Sequence, residues 1–135
     1  MIKKYFLPTL ALTFILTACS NDKAKSDKLI EANKAHLESV AIHENVESGL
    51  HVMKKLAETK QDSLRLQKLD SLQDLIELWE EGMIEVPGFE HEHHHEKGEH
   101  HSHKPASQMT DESMLEYQLN AKAAIEALQK DLKTI

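Results

Sequence analysis

The chain has 135 residues, 40% hydrophobic and 29% charged, which suits one small domain and leaves no room for two sizeable ones. Four glycines and three prolines argue against a loop-rich β-protein or a glycine-rich nucleotide-binding fold. A single cysteine excludes an internal disulfide and a cysteine-only zinc finger. The formal net charge of −7 argues against a nucleic-acid partner, because proteins that bind nucleic acids need a basic face.

The first nineteen residues have the order of a bacterial secretion signal. Two lysines precede an apolar run at 5–17 that is shorter than a membrane-spanning helix requires. The end of this run and the two residues after it, Leu16-Thr17-Ala18-Cys19, resemble the lipobox of a bacterial lipoprotein precursor, in which the cysteine becomes the lipid-carrying N-terminus. We therefore expect a signal peptide over 1–18, lipid on Cys19 and a flexible tether over 19–28. A buried helix with a chance cysteine is the alternative.

A lipid on Cys19 would place the mature protein on a membrane without spanning it, because several acyl chains on one residue bury enough methylenes for firm anchoring. The predicted location is the cell envelope. The lysines and aspartates that follow the cysteine favour the outer membrane of a Gram-negative bacterium.

Residues 29–86 have the periodicity of one long helix or two helices. One stripe recurs every seven residues: Leu29, His36, His43, Leu50, Ala57 and Leu64. A second stripe is out of phase with it: Leu69, Leu72, Ile76, Trp79, Met83 and Val86. The phase changes near residues 60–63, where Asp62 or Ser63 can cap a new helix, although a continuous helix with a shifted contact face fits nearly as well.

Pro87-Gly88 ends this pattern, and residues 87–109 read as a disordered, histidine-rich loop. Thr110 and the two acids after it favour the start of a C-terminal helix over 110–133. Its apolar face consists of Met114, Gln118, Ala121, Ile125, Leu128 and Leu132. The predicted fold is all-α, either a long antiparallel helical hairpin or a three-helix bundle. Its thin aliphatic core suggests helix-mediated self-association.

The loop carries the clearest chemistry in the sequence. Imidazole nitrogen suits zinc, copper and nickel, and neighbouring carboxylates can ligate a metal or orient an imidazole. The candidate metal ligands are His91, His93, His94, His95, His100, His101 and His103, supported by Glu90, Glu92, Glu96 and Glu99. A catalytic site holds its ligands rigidly, whereas these donors are numerous and interchangeable. They therefore indicate a buffer, collector or sensor of divalent transition metal, with zinc as the leading candidate.

Two other interpretations of the loop remain open. It can be an incidental low-complexity linker in a coiled-coil envelope scaffold or a protein-interaction lipoprotein. It can also sense pH, because its seven histidines would gain charge together near the usual imidazole pKa of about 6.5.

Three histidines lie in the helical region. His36 and His43 are roughly 10 Å apart along one face, too far to share an ion, and such residues usually pack and form hydrogen bonds. His43 and Glu47, spaced i,i+4, are a further candidate metal pair. His51 lies off the stripe and is expected to face solvent. Glu80 and Glu81 read as a solvated helix face.

The sequence predicts no enzyme. It contains no nucleophile–histidine motif and no glycine-rich phosphate loop. The spacing His91-Glu92-x-x-His95 matches a zinc-protease motif, but it falls between Pro87-Gly88 and Gly98, where a rigid helix is not expected.

Two stretches carry a family resemblance: Ala41-Ile42-His43-Glu44, and the ten residues from Trp79 to Gly88 that lead into the histidines. They resemble a group of small helical lipoproteins of Bacteroidetes-type bacteria, often labelled viral A-type inclusion proteins. The resemblance implies an envelope lipoprotein with an exposed histidine-rich insertion, and it supplies no catalytic residues.

Overall fold

The computed structural model describes residues 25–89 and 108–135, which contain three α-helices. Helix α1 spans Asp27–Thr59, α2 spans Ser63–Gly82 and α3 spans Asp111–Thr134. Each helix packs against the other two. The predicted all-α fold is confirmed, and of the two architectures expected the protein has the three-helix bundle.

The direction of the helices follows from the residues that meet. Ser26 Oγ donates to Asp111 Oδ2 at the start of α1 and α3, and Gly49 lies beside Leu132 near their ends, so these two helices run parallel. Lys54 Nζ lies 2.6 Å from Asp70 Oδ1, whereas residues earlier in α1 meet the end of α2, so α2 runs antiparallel to both. The bundle is therefore up, down, up.

A tight turn separates α1 from α2. Gln61 adopts the left-handed conformation, with φ 55°, and its N–H donates to the Glu58 carbonyl over 3.0 Å. The Asp62 N–H donates to the Ala57 carbonyl over 2.9 Å, which completes a Schellman motif. Asp62 Oδ1 then accepts from the Arg65 N–H over 3.0 Å and caps α2. The phase change near residues 60–63 is a helix break.

The break changes the role of Leu64. The heptad pattern of α1 predicts Leu64 on the buried stripe, but its side chain is 65% exposed. That prediction was wrong because α1 ends at Thr59 and α2 starts with a new rotation about its own axis. Within α1 the pattern holds, since His36, His43, Leu50 and Ala57 are buried.

Two groups of buried residues form the core. The larger group joins the second half of α1 to α2 and the end of α3: Val46, Leu50, Ala57, Leu69, Leu72, Ile76 and Leu132. The smaller group, at the other end, is Ala32, Val86 and Met114. Burying one large aliphatic side chain contributes about 1.5–3 kcal/mol. Gly49 lets α1 and α3 approach closely, because a Cβ there would lie 3.1 Å from Leu132 Cδ2.

Two ion pairs join the parallel helices α1 and α3. Lys122 donates to Glu38, and this hydrogen bond, aided by the charge of Lys122, lowers the pKa of the Glu38 carboxyl and raises that of Lys122. Lys28 pairs with Glu112 in the same way and lowers the pKa of that carboxyl. Exposed ion pairs contribute little to stability, so these two contacts accompany the parallel alignment of α1 and α3 and add little to it.

The left-handed residue between α1 and α2 generates a testable prediction. The left-handed conformation strains a non-glycine residue by about 1–2 kcal/mol, and glycine relieves this strain. Glycine also stabilises the unfolded chain through its greater conformational freedom, which offsets part of the relief. Gln61→Gly is therefore expected to raise the free energy of unfolding by about 0.5–1 kcal/mol, measured by urea denaturation.

Gln67→Gly is the matched control, because Gln67 is exposed within α2. It should lower the free energy of unfolding by about 1 kcal/mol. Equal destabilisation by the two substitutions would contradict the strain assigned to Gln61.

Candidate metal centre

Three side chains from two helices converge near the middle of the bundle. His43, on α1, is nearly buried, and its Nε2 lies 3.8 Å from Glu47 Oε1 one turn further along. The same Nε2 lies 3.9 Å from Oε2 of Glu80, in the last turn of α2, whose side chain is only 17% exposed. One ligand atom from each residue lies within 4.8 Å of the other two. The antiparallel packing of α1 and α2 thus builds a cluster of one nitrogen and two oxygens.

Trp79 holds the imidazole of this cluster in place. The two rings are stacked, with centroids 5.1 Å apart and planes 26° apart. The indole Nε1–H donates to the Ala121 carbonyl over 2.8 Å, which ties the tryptophan to α3. All three helices therefore contribute to the position of His43.

The cluster fits a divalent transition metal. A site with three nitrogen or oxygen ligands and one open position is a known zinc arrangement, and metal–ligand bonds of about 2.0–2.2 Å place tetrahedral donors about 3.4 Å apart. The distances of 3.8 and 3.9 Å from His43 Nε2 are close to that spacing, and the two carboxylate oxygens lie within 4.8 Å of each other, so the side chains would move closer together around an ion. Two carboxylates also balance the charge of a dication in a partly buried position. The His43, Glu47 and Glu80 group can therefore hold a metal ion.

The second buried histidine has a different environment. His36 Nδ1 lies 3.2 Å from Gln118 Oε1, and the Gln118 amide nitrogen donates to the Ile84 carbonyl over 2.7 Å. That amide orientation leaves the Gln118 oxygen facing the imidazole, so His36 Nδ1 is the donor. The other ring nitrogen, Nε2, lies 3.7 Å from Glu85 Oε2. His36 is a hydrogen-bonded packing residue, in agreement with the interpretation from sequence.

The structure brings together only part of the predicted site. Of the candidate ligands, His43 and Glu47 lie in the described helices and meet as the i,i+4 spacing predicts. The lipidation residue Cys19, the seven loop histidines and the four loop glutamates lie outside the described residues. His51 is exposed, as expected.

Glu80 is the candidate ligand that the sequence did not predict. We predicted a solvated face for Glu80 and Glu81; Glu81 is exposed, but the prediction was wrong for Glu80. The reason is its position at the edge of the apolar stripe of α2, four residues after Ile76 and three before Met83, both buried. That spacing was the available signal, since a charged residue beside an apolar stripe is carried towards the neighbouring helix.

Comparison of the chain with protein-family models, curated proteins and solved structures finds no match. The resemblance to helical Bacteroidetes lipoproteins stays a prediction from sequence. Within 25–89 and 108–135, none of the helices has the length and apolar content needed to cross a bilayer.

The buried hydrogen-bond chain through Gln118 generates a second prediction. Gln118→Leu removes the partner of both His36 Nδ1 and the Ile84 carbonyl, and each buried polar group left unpaired costs about 1–3 kcal/mol. The free energy of unfolding, measured with urea, is expected to fall by about 2–6 kcal/mol, the cost of two such groups.

Gln67→Leu is the matched control on an exposed position and should change the stability by less than about 0.5 kcal/mol. If the two Gln→Leu variants were equally stable, the buried hydrogen-bond chain would not support the bundle.

Proposed function

We propose that this protein is a lipid-anchored, non-enzymatic binder of divalent transition metal in the cell envelope. The observation that carries the proposal is the meeting of His43, Glu47 and Glu80 between α1 and α2. The histidine-rich stretch at 90–104 provides a second population of donors in the same chain. Together they support a role as metal buffer, collector or sensor.

The donor types favour zinc, with copper or nickel as the other candidates. One imidazole and two carboxylates form a borderline-to-hard set, which suits these ions and offers no thiolate for soft copper(I). Copper binds most tightly to a given nitrogen and oxygen site, so the preference for zinc rests on metal availability.

The two donor populations suggest a division of labour. The helical centre has one defined geometry, held by α1, α2 and Trp79, and so suits a single ion. The loop has seven histidines and can engage ions in several interchangeable ways. Glu90, the first of the loop acids, follows Glu80 by only ten residues, so ions collected by the loop would be bound close in sequence to the centre.

Lipid attachment is tested by metabolic labelling with an alkyne fatty acid in a Gram-negative host. The wild-type chain is expected to incorporate the label, and Cys19→Ser is expected to lose it, because the thiol is the proposed attachment point. Ser20→Ala, the neighbouring substitution, should keep the label. An unlabelled wild-type protein would overturn the anchor.

Metal binding at the centre is tested in a variant with all seven loop histidines changed to alanine. Trp79 is the only tryptophan in the chain and stacks on His43, so its fluorescence reports this site. Titration with Co²⁺ is expected to quench it with one ion per chain, and competition with excess Zn²⁺ should reverse the quenching. Acidification should weaken binding, since only neutral imidazole ligates a metal.

His43→Ala and Glu80→Gln in the same background are expected to weaken binding at least tenfold, about 1.4 kcal/mol. His51→Ala is the control, because this histidine lies on the same helix and is exposed. Quenching that survives His43→Ala would place the ion elsewhere. If neither the loop variant nor the wild type bound Zn²⁺ or Cu²⁺ below about 10 µM, metal binding would be excluded as the function.

A further inference from the structure

The start of α1 and the residues on both sides of the histidine-rich stretch lie at one end of the bundle. Lys25 Nζ lies 3.6 Å from the centroid of the Phe89 ring, so the chain before α1 touches the last described residue before the stretch. On the other side of the stretch, Asp111 at the start of α3 accepts a hydrogen bond from Ser26. We call this end the entry end of the bundle, and it consists of residues 25–30, 86–89 and 108–112.

The turn between α1 and α2 is the reason that both sides of the stretch are at this end. One uninterrupted helix over 29–86, which the sequence left open, would be about 85 Å long and would carry the stretch that far from the start of α1. Instead Gln61 ends the first helix, and α2 returns antiparallel to Phe89, beside Lys25. The opposite end of the bundle, at Lys60, is about 50 Å away, which is the length of the 33 residues of α1.

The proposed lipid attachment point is close to the same end. Cys19 precedes Lys25 by six residues, and a fully extended segment of this length spans at most about 20 Å. His91, the first histidine of the stretch, follows Phe89 by two residues, at most about 7 Å of chain. A lipid on Cys19 would therefore keep the entry end, and with it both attachment points of the stretch, within about 20 Å of the membrane.

We propose that the entry end of the bundle faces the lipid surface, so that the histidine-rich stretch binds its metal at the membrane and not at the far end of the protein. This inference rests on the lipid anchor of the proposed function. His43 follows Asp27 by sixteen residues, about 25 Å along α1, so the helical metal centre lies farther from the lipid than the stretch does. The two populations of metal donors are thereby separated along the normal to the membrane.

Two exposed apolar side chains at the entry end favour contact with lipid. Ile30, in the first turn of α1, is 51% exposed, and Met109, just before α3, is 36% exposed. Apolar surface that enters the boundary between headgroups and acyl chains is removed from water, which stabilises the bound orientation.

The charges at the entry end nearly cancel. Two basic residues, Lys25 and Lys28, stand against three acids, Asp27, Asp111 and Glu112. The lipid anchor and the apolar side chains, and not attraction to anionic lipid, therefore set the orientation. Vesicles of neutral phosphatidylcholine are expected to suffice.

Energy transfer to the membrane tests the orientation. The full lipidated chain is placed in phosphatidylcholine vesicles that carry an acceptor dye on a fraction of the headgroups. A donor dye is attached at Gln108→Cys or at Lys60→Cys, made as separate proteins; both positions are exposed, and the lipid blocks the only native thiol, Cys19. With an acceptor that responds over less than the length of α1, transfer from position 108 is expected to exceed transfer from position 60 several-fold. Equal transfer, or stronger transfer from position 60, would overturn the proposal.

Substitution of the apolar side chains tests their part in the orientation. Ile30→Asp with Met109→Asp is expected to narrow the difference in transfer between the two dye positions. Val52→Asp is the matched control, because Val52 is 62% exposed and lies in the second half of α1. It should leave the difference unchanged, and circular dichroism checks that each variant stays helical.

The place of the bound metal is tested with Ni²⁺, whose absorption quenches a nearby fluorophore. Ni²⁺ added to the vesicle-bound wild type is expected to quench a fluorophore on the lipid headgroups. The variant with all seven loop histidines changed to alanine should lose this quenching and keep the same orientation in the transfer experiment. Ni²⁺ that binds the wild type, as shown by calorimetry, without quenching the headgroups would overturn the proposal.

These outcomes separate the orientation from the anchor. A wild-type chain that incorporates no labelled fatty acid would overturn both. A chain that carries lipid but holds position 60 nearer to the membrane would overturn the orientation alone and leave the proposed function standing.

Discussion

Two imidazoles buried on one face of α1 constrain the rest of this bundle. A buried polar group without a partner destabilises the folded state by more than most single apolar contacts stabilise it. The neighbouring helices must therefore supply partners for His36 and His43. Gln118 of α3 meets the first, and Glu80 at the end of α2 meets the second. Both contacts join α1 to a neighbouring helix in the interior of the bundle.

The polar interior also gives a thin aliphatic core a unique register. Leucine, isoleucine and alanine pack in several alignments, whereas the chain from His36 through Gln118 to the Ile84 carbonyl is satisfied in one. Trp79 extends the same principle, since its stack on His43 and its hydrogen bond to Ala121 join all three helices at the metal centre. A metal bound between α1 and α2 would stabilise the same alignment, because it binds only the folded arrangement of ligands.

Helix α2 has two faces with different chemistry. Its inner face carries the apolar stripe and Glu80, while its outer face carries exposed leucines. The inner face explains the folding of the monomer.

The sequence alone determined the helical class, the α1 and α3 stripes and the His43–Glu47 pair, because all three depend on spacing along one helix. The lipobox at Cys19 and the loop histidines are likewise sequence features, and their roles rest on the sequence. Only the tertiary structure decided that the helix breaks at Gln61, that Leu64 faces outward and that Glu80 joins His43 and Glu47 in a group that can hold a metal ion. Glu80 and His43 are thirty-seven residues apart in sequence. Whether they meet depends on the rotation of α1 and α2 about their axes, and the packing of entire helix faces sets that rotation. The spacing of residues along one helix does not predict it.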